Sequence, residues 1–371
     1  MMFKNVGICS ILLSLQLIAA EVPKEILSAK TYNDMMALHG VVRLEATPQS
    51  QLGMIRDVIF LQHSWFIIDW VQNKVFQFSE KGSFIRVVGN RGNGPGEYQT
   101  PVSIERVYDG NFAIADAAGN SILVFNTNGE HLRTISYKQG VMPPRPPFIW
   151  KKPNRLYLGD LPSASSKKPY CGITDDKLQL QTLFGTRPFG DGEGPKFALS
   201  CFMQVDKTIW VGSPYDGAFE IYNLDGKLLK RVETTHPDSP TPEDFTGLHS
   251  KADRAEIDKL KRKNRTRAMA YVGDYVLVYM NDLDIYHKDG VLLKRGLKSK
   301  GVMQPLDTLG SFVVGRLPEA DLLAHYQALH PNLPEKLKAV GWTEANAKNE
   351  NPYLRIDLLK PVSDGENIGS Y

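Results

Sequence analysis

The sequence has few cysteines and almost no excess charge. Three of its 371 residues are cysteine, and 44 lysines and arginines against 41 aspartates and glutamates leave a formal net charge of +3. A balance this close to neutral gives no bulk attraction to nucleic acid or to an anionic membrane. With 42% hydrophobic residues, 31 glycines and 23 prolines, the chain is also unlike disordered, collagenous or coiled-coil proteins. The composition therefore predicts a globular protein.

Common catalytic motifs are missing as well. The eight histidines contain no HxH or HExxH spacing, with which zinc enzymes place two imidazoles on one metal ion. No GxSxG elbow supplies a nucleophilic serine. The glycines of 89–96 do not fit the GxxxxGK[ST] spacing of a phosphate-binding loop, so we interpret GNGPG (92–96) as a turn-forming linker.

The first twenty residues have the pattern of a secretory signal peptide. Lys4 gives a positively charged n-region, and Val6–Ile18 forms the apolar region that follows it. The small residues that end at Ala20 are typical of a cleavage site. The apolar run is too short to span a bilayer comfortably, and Cys9 lies inside it rather than at a lipoprotein cleavage site. We expect cleavage near Ala20 and a secreted or periplasmic protein whose mature chain has no transmembrane segment. The alternative is a buried N-terminal helix.

A pattern of strands and tight turns repeats along the chain. Each copy has an apolar run, a short polar connection, an alternating strand, a tight turn and another strand. The apolar runs are WFIID (65–69), FAIAD (112–116), LYLGD (156–160), IWVGS (209–213), VLVYM (276–280) and FVVGR (312–316). Four turns end in a glycine that tolerates positive φ: Gly82, Gly129, Gly226 and Gly290. Asp176 replaces this glycine in the third copy.

Six such units predict an all-β fold, a six-bladed β-propeller. A strand pair of this length cannot bury its apolar face alone, so the units must stack. A β-sandwich or two small β-domains are the rival folds, but neither predicts so even a period. The units lie near residues 55–89, 101–136, 147–185, 200–232, 267–296 and 301–359. We expect the propeller to occupy 21–360, followed by a flexible tail over 361–371.

The last unit lacks a fourth strand. Its three candidate strands are 301–306, 311–316 and 353–359, and VVRLEA (41–46) has no assigned partner. Because closure from both chain ends removes an exposed sheet edge, we predict that 41–46 pairs as the outermost strand of the last blade.

Two segments resemble a known family. ADAAGNSILVFNTNGE (115–130) resembles the NHL-type propeller repeat, in which an Asp ends the second strand and an Asn precedes a strand ending in an aromatic residue. GNRGNGPGEYQTPVSI (89–104) resembles the glycine-rich linker of bacterial secreted six-bladed propellers, and FGDGEGPKFALS (189–200) is a weaker copy. The resemblance covers about residues 55–300 and implies the propeller fold. It implies little about function, because propellers serve as enzymes, receptors and scaffolds alike.

The connections divide into two sets by length. The turns between strands 1 and 2 and between strands 3 and 4 are short, and every long connection belongs to the other set: 89–100, 136–147, 161–169, 186–199, 233–266 and 317–351. In a four-stranded blade the long set shares one rim, where binding sites usually lie. The insertions 233–266 and 317–351 contain helical patterns at 250–263, 318–330 and 334–340, which predict a helical cap over the channel mouth.

The candidate ligand-binding residues lie on this loop-rich rim. They combine residues at the ends of second strands with aromatic and polar residues of the connections: Asp69, Trp70, Arg91, Glu97, Tyr98, Asp116, Asp160, Tyr215, His249, Arg316 and His325. Asp69, Asp116 and Asp160 could together bind a divalent cation such as Ca²⁺. The favoured interpretation is structural, with each short carboxylate accepting backbone N–H groups in its turn, so no cofactor is expected.

Two functions follow from this arrangement. The first is non-catalytic binding of an envelope protein, a peptide or a glycan by a monomer, since aromatic faces beside carboxylates suit such ligands. The alternative is a metal-dependent lyase or lactonase-type enzyme with a divalent ion in the central channel, held by Asp69, Asp116, Asp160 and a histidine such as His249 or His325. A structural blade array in an envelope assembly is a third idea. No catalytic residue is assigned.

Overall fold

The computed structural model contains six four-stranded antiparallel sheets. It describes residues 23–136, 148–159, 171–185, 201–212, 218–234, 254–260, 268–280, 282–298, 305–316, 332–340 and 353–360, and the single residues 239, 241, 244, 248 and 266. Each sheet is one blade, and its strands follow one another in chain order from the inside outward, apart from the outermost strand of blade six. A short parallel pair, β6 (Asn90–Arg91) and β7 (Glu97–Tyr98), lies between blades one and two.

The first three blades follow the predicted units closely. Blade one contains β2 (Ile55–Leu61), β3 (Ser64–Asp69), β4 (Lys74–Ser79) and β5 (Phe84–Val88). Blade two contains β8 (Pro101–Arg106), β9 (Phe112–Asp116), β10 (Ser121–Phe125) and β11 (His131–Ser136). Blade three contains β12 (Phe148–Lys152), β13 (Arg155–Leu158), β14 (Cys171–Thr174) and β15 (Leu180–Phe184).

The second half repeats this order. Blade four contains β16 (Cys201–Val205), β17 (Thr208–Gly212), β18 (Ala218–Asn223) and β19 (Leu228–Glu233). Blade five contains β20 (Ala268–Val272), β21 (Tyr275–Tyr279), β22 (Leu283–His287) and β23 (Leu292–Leu297). Blade six contains β24 (Pro305–Leu309), β25 (Phe312–Arg316), β26 (Tyr353–Leu359) and, outermost, β1 (Met36–Arg43).

The inner strands β2, β8, β12, β16, β20 and β24 form a closed ring. Each contacts the inner strand of the blade before it and of the blade after it, and β24 contacts β2. These six strands enclose the central channel. The second strands behind them are buried on both faces because a neighbouring blade packs on each side. Between blades one and two, for example, the rings of Phe66 and Phe112 lie 4.3 Å apart. The six-bladed propeller predicted from the repeat is confirmed.

The N-terminal strand closes blade six, as predicted. β1 pairs antiparallel with β26, with Val41 opposite Arg355 and Arg43 opposite Tyr353. The strand covers Met36–Arg43 rather than 41–46, so it starts five residues before the predicted segment. A bulge between Leu38 and Gly40 interrupts its register.

Each of the four turn glycines packs against the blade before its own. Gly82, Gly129, Gly226 and Gly290 all have φ between +75° and +89°, which is the left-handed region that glycine adopts without strain. Gly129 lies against Arg86 in the outer strand of blade one. Gly82 makes the corresponding contact at the closure of the ring, where a Cβ would lie 1.9 Å from the Arg43 carbonyl oxygen. The N-terminal strand therefore takes the place of an ordinary outer strand.

The described part of the chain contains four helices beside the blades: α1 (Lys24–Ser28), α2 (Tyr32–Met35), α3 (Arg254–Leu260) and α4 (Leu333–Ala339). The predicted cap over the channel is wrong for α4. Leu333 and Leu337 of this helix pack on Leu38 and Val41 of β1, at the outer edge of blade six. Lys336 Nζ also donates to the His39 carbonyl oxygen at 2.6 Å, so α4 covers a strand edge that would otherwise be open. The expected helix at 318–330 lies outside the described residues.

Candidate functional site

The channel has two different ends. The blade-to-blade connections and the strand 2–3 connections lie at one end, which we call the loop-rich rim. The strand 1–2 turns lie at the other end, which we call the plain rim. Of the candidate residues, Asp160, Tyr215, His249 and His325 lie outside the described residues, and the others can be placed.

Asp69 ties two connections together at the loop-rich rim of blade one. It ends β3 and is fully buried. One carboxylate oxygen accepts the backbone N–H groups of Val71 and Gln72 at 2.7 and 2.9 Å, and the other accepts the N–H of Gly53. Its carboxylate thus joins the strand 2–3 connection to the segment that enters blade one.

Asp116 repeats this arrangement in blade two. It ends β9, is buried, and accepts the backbone N–H groups of Thr100 and Gln99 at 2.7 and 2.9 Å. Both oxygens of Asp116 and both of Asp69 are therefore engaged by backbone amides, which is the structural role that the sequence favoured. Within the described part of the chain, no group of three or more His, Cys, Asp or Glu residues is arranged to hold a metal ion.

Two side chains of the glycine-rich linker hold it in place, Glu97 by a contact within the linker and Tyr98 by contacts with blade one. The Glu97 carboxylate accepts the N–H of Gly94 at 2.8 Å, and a Cβ on Gly92 would lie 2.0 Å from the same oxygen. This contact leaves no cradle for a phosphate. Tyr98 is fully buried, and its hydroxyl donates to the Val88 carbonyl oxygen at 2.6 Å and accepts the N–H of Val75. Contrary to our expectation for a rim residue, Tyr98 has no surface to offer a ligand.

Trp70 is the predicted rim residue with the most suitable surroundings for binding. It is 39% exposed, and the guanidinium of Arg56 stacks over its ring at 4.1 Å from the centroid. The backbone N–H of Trp70 donates to the Met54 carbonyl oxygen at 2.9 Å, so Met54 and the next residue, Val71, lie beside Trp70. These two side chains are 40% and 63% exposed. Burial lowers the pKa of Arg56, which also donates to the Val102 carbonyl oxygen. We call Met54, Arg56, Trp70 and Val71 the rim cluster.

Two other predicted cations lie at this rim but are not part of the rim cluster. Arg91 is exposed in β6 beside the glycine-rich linker. Arg316 is half-buried at the end of β25 in blade six, where it lies opposite Leu354.

The plain rim contains a charged network that the sequence did not reveal. Arg106 ends β8 in blade two, and Asp307 lies in β24 of blade six. Their side chains form a bidentate ion pair, in which Arg106 Nη1 donates to Asp307 Oδ1 at 3.0 Å and Nη2 donates to Oδ2. Between them, Phe60 of blade one donates its N–H to Asp307 and accepts from Arg106 Nε at 2.9 Å. Three blades are thus joined at one point.

Asp57 extends this network along the channel. Its carboxylate accepts the N–H of Ile104 at 3.0 Å and the hydroxyl of Ser103 at 3.2 Å, which joins β2 to β8. Burial raises the pKa of Asp57 to about 7, and the neighbouring charges of Glu105 and Asp307 act in the same direction. This carboxyl group can therefore take up or release a proton near neutral pH.

A cavity of about 310 Å³ lies at the plain rim, inside the ring of inner strands. Gly273 and Gly310 of two strand 1–2 turns border it. Its polar walls are formed by side chains from several blades: Glu105, Arg106, Lys151, Gln204, Tyr271 and Asp307. The one signal in the sequence was a charged residue near the end of several first strands. The second strands, which carry the predicted rim residues, give no indication of these side chains.

Comparisons with known proteins agree with this architecture. A family model described as a 6-bladed beta-propeller matches residues 22–289. A Bacteroides fragilis protein, solved as a candidate exported protein, has a TM-score of 0.65 at 13% identity, over 89% of this chain and 96% of its own. A DUF4221 family member from Bacteroides vulgatus has a TM-score of 0.55 at 9% identity, over 69% and 84% of the two chains. No curated protein matches the sequence.

A Staphylococcus aureus virginiamycin B lyase also resembles the chain, with a TM-score of 0.44 at 11% identity over 73% of this chain and 78% of its own. This likeness is too low to support any conclusion about activity. The first two likenesses concern the fold alone, because identity is low. No helix in the described part of the chain is long and apolar enough to cross a membrane.

Proposed function

Because the chain belongs to this family of six-bladed β-propellers, we propose that it is an exported protein that binds a partner through its loop-rich rim without catalysing a reaction. Fold alone does not determine function, so the proposal rests on the rim. Export is supported by the charged, apolar and small-residue pattern of residues 1–20. Cleavage near Ala20 is testable by mass spectrometry of the N-terminus of protein recovered from the cell envelope or medium.

The observation that carries the binding function is the rim cluster. Three neighbouring residues, Met54, Trp70 and Val71, expose apolar surface at a single point of the rim. An aromatic ring backed by a guanidinium offers a flat apolar face with a polar edge, which suits a peptide or a glycan. The cluster is rigidly placed, because Asp69 holds the two connections that carry it.

The site extends from the rim cluster along the same rim. Arg91 and Arg316 supply positive charge there, and Glu97 lies in the same glycine-rich linker as Arg91. Four further candidates are proposed from the sequence alone, because they lie outside the described residues: Asp160, Tyr215, His249 and His325. A divalent cation at the second-strand aspartates is not favoured, because the oxygens of Asp69 and Asp116 already accept backbone amides.

Site-specific photo-crosslinking tests the proposal. A crosslinking amino acid at Val71 should capture a protein or peptide from an envelope extract, and Trp70→Ser should abolish that product. The matched control is Ile85, which is 40% exposed but lies on the outer strand of the same blade. A crosslinker at Ile85 should capture nothing, and Ile85→Ser should leave the product at Val71 intact.

Glycan binding is tested separately, since a glycan gives no such product. Retention on an envelope polysaccharide column should be lost in Trp70→Ser and kept in Ile85→Ser. The proposal is overturned if Val71 and Ile85 capture the same products and neither variant changes retention.

A further inference from the structure

The cavity at the plain rim is a second potential site, at the opposite end of the channel from the rim cluster. It is enclosed by the inner strands of blades two to six, so rigid elements position every side chain that lines it. Its volume of about 310 Å³ falls at the lower end of the range for small-molecule sites, about 300–1,000 Å³. The cavity is therefore sized for a compact ligand.

The two cations that line the cavity, Lys151 and Arg106, carry more N–H donors than their hydrogen bonds to described residues use. Lys151 Nζ donates to Glu105 Oε1 at 3.0 Å, and its side chain is 41% exposed, so the ammonium group has further N–H donors available. Arg106 uses three N–H groups on Phe60 and Asp307, out of the five that a guanidinium carries. Both cations can accommodate an anionic group.

Its acceptors are also incompletely used. Gln204 Oε1 is buried and has no hydrogen-bond partner among the described residues. The Nε2 of the same side chain donates to the Asp206 carbonyl oxygen at 2.8 Å. A buried acceptor without a donor costs about 1–3 kcal/mol. Glu105 Oε1 accepts from Lys151 Nζ and from the Arg106 backbone N–H, and no described residue donates to its other oxygen. A ligand that donates hydrogen bonds would satisfy both groups.

The remaining wall is apolar, and the charges around it balance. Phe148, Phe202 and Met203 line the cavity beside the polar groups. The two cations, Lys151 and Arg106, are matched by the carboxylates of Glu105 and Asp307. A ligand with a single net charge would leave one charge uncompensated at a partly buried site, which is unfavourable. A neutral ligand with separated positive and negative ends fits better.

We propose that this cavity binds a small zwitterion of the amino-acid class with an apolar side chain. The ligand carboxylate accepts from Lys151 and the spare N–H groups of Arg106. The ligand ammonium donates to Gln204 Oε1 and Glu105, and the side chain packs on Phe148, Phe202 and Met203.

Calorimetric titration of the full-length protein with L-phenylalanine tests this site. N-acetyl-L-phenylalanine removes the ammonium charge, and L-phenylalaninamide removes the carboxylate. We expect L-phenylalanine to bind and each blocked compound to bind at least about tenfold more weakly, because each loses a charge-assisted hydrogen bond. Equal binding of the three compounds overturns the proposal, as does no binding of L-phenylalanine, L-leucine or L-methionine at 10 mM, about the weakest affinity such a site would have.

Variants localise the binding to the cavity. Lys151→Met and Gln204→Leu should each weaken L-phenylalanine binding at least about tenfold. The matched control is Lys152→Met, because Lys152 is the next residue of β12, is exposed and does not line the cavity. The melting temperature of each variant checks that the propeller is intact. If Lys152→Met weakens binding as much as Lys151→Met does, or if neither cavity variant weakens it, the ligand binds elsewhere and the proposal fails.

Discussion

Arg106 and Asp307 meet across blade one, although they belong to blades two and six and are 201 residues apart in the chain. The Phe60 backbone lies between them and hydrogen-bonds to both side chains. Asp307 is buried and Arg106 nearly so, with side-chain exposures of 7% and 20%. The pair therefore reinforces the ring at the point where its first and last blades join, in addition to the strand pairing of β1 with β26.

Loss of this ion pair should destabilise the propeller strongly. Asp307→Asn leaves the Arg106 guanidinium without its charge partner, and breaking a buried pair in this way typically costs about 3–5 kcal/mol. Urea denaturation should show this loss in the free energy of unfolding. The matched control is Asp225→Asn, which breaks the more exposed Arg155–Asp225 pair and should cost less than about 1 kcal/mol. Equal effects of the two substitutions would contradict the role given to Asp307.

The stability of the protein should depend on the protonation of Asp57. Its folded-state pKa of about 7 lies above the ordinary value of 3.8, so the folded protein holds this proton to higher pH than the unfolded chain does. The contribution of Asp57 is thus most favourable below about pH 4, falls as the pH rises, and levels off above about pH 7. One pKa unit corresponds to about 1.4 kcal/mol, and partial solvent contact should keep the whole drop below about 4 kcal/mol.

Asp57→Asn removes this titration. The difference in unfolding free energy between the variant and the wild type should shift in favour of the variant between pH 4 and pH 7, and then remain constant. Denaturation measured across this pH range checks the prediction. Asp109→Asn, at an exposed turn of the plain rim, should retain the wild-type pH dependence. A parallel profile for Asp57→Asn and the wild type would show that Asp57 does not titrate in this range.

Substitution of Asp116 should lower the free energy of unfolding and leave the divalent-metal content of the protein unchanged. Asp116→Ala leaves the buried N–H groups of Gln99 and Thr100 without an acceptor, which we expect to cost about 2–4 kcal/mol. Asp116→Asn keeps one acceptor oxygen and should cost less. Elemental analysis should find the same divalent-metal content in all three proteins. A stoichiometric ion that disappears in Asp116→Ala would instead support the metal-dependent enzyme.

Alanine substitutions at Gly82 and Gly296 distinguish the cost of backbone strain from the cost of a steric collision. Gly82 and Gly296 both have positive φ, at +89° and +68°, so alanine is strained at either position. Only at Gly82 would the added Cβ collide with another backbone atom, 1.9 Å from the Arg43 carbonyl oxygen, whereas nothing lies within 4 Å of a Cβ at Gly296. Gly296→Ala should cost about 1–2 kcal/mol. Gly82→Ala should cost more, because it also displaces the N-terminal strand; equal losses would argue against that contact.

Much of the fold was predictable because its determinants are local. A glycine ends the turn between the third and fourth strands in four of the blades, and the apolar runs mark the second strand of every blade. The third blade differs in one respect that its Asp-Asp turn did not predict: Leu178 takes the positive φ there, at +58°. The position of α4 was mispredicted, since an amphipathic pattern indicates that a helix buries one face but not which surface it covers.

The candidate site was predictable only in part. Asp69, Asp116 and Trp70 are at the rim where the repeat places them, and the carboxylates have the structural role that their position in the repeat favoured. Tyr98 was misassigned because an aromatic residue in a linker has the same sequence pattern whether it faces solvent or fills the space between two blades. Its burial depends on the packing of β4 and β5 around it.

By itself, the amino-acid order determined the number of blades, the conformations of the four turns that end in glycine and the need for an N-terminal strand in the last blade, since these follow from spacing and from an unpaired edge. Only the tertiary structure decided which charged groups face one another, as Arg106 faces Asp307 and Lys151 faces Glu105. The reason is geometric. Closure of the ring and the orientation of each inner strand bring distant side chains within bonding distance, and no local pattern encodes that approach.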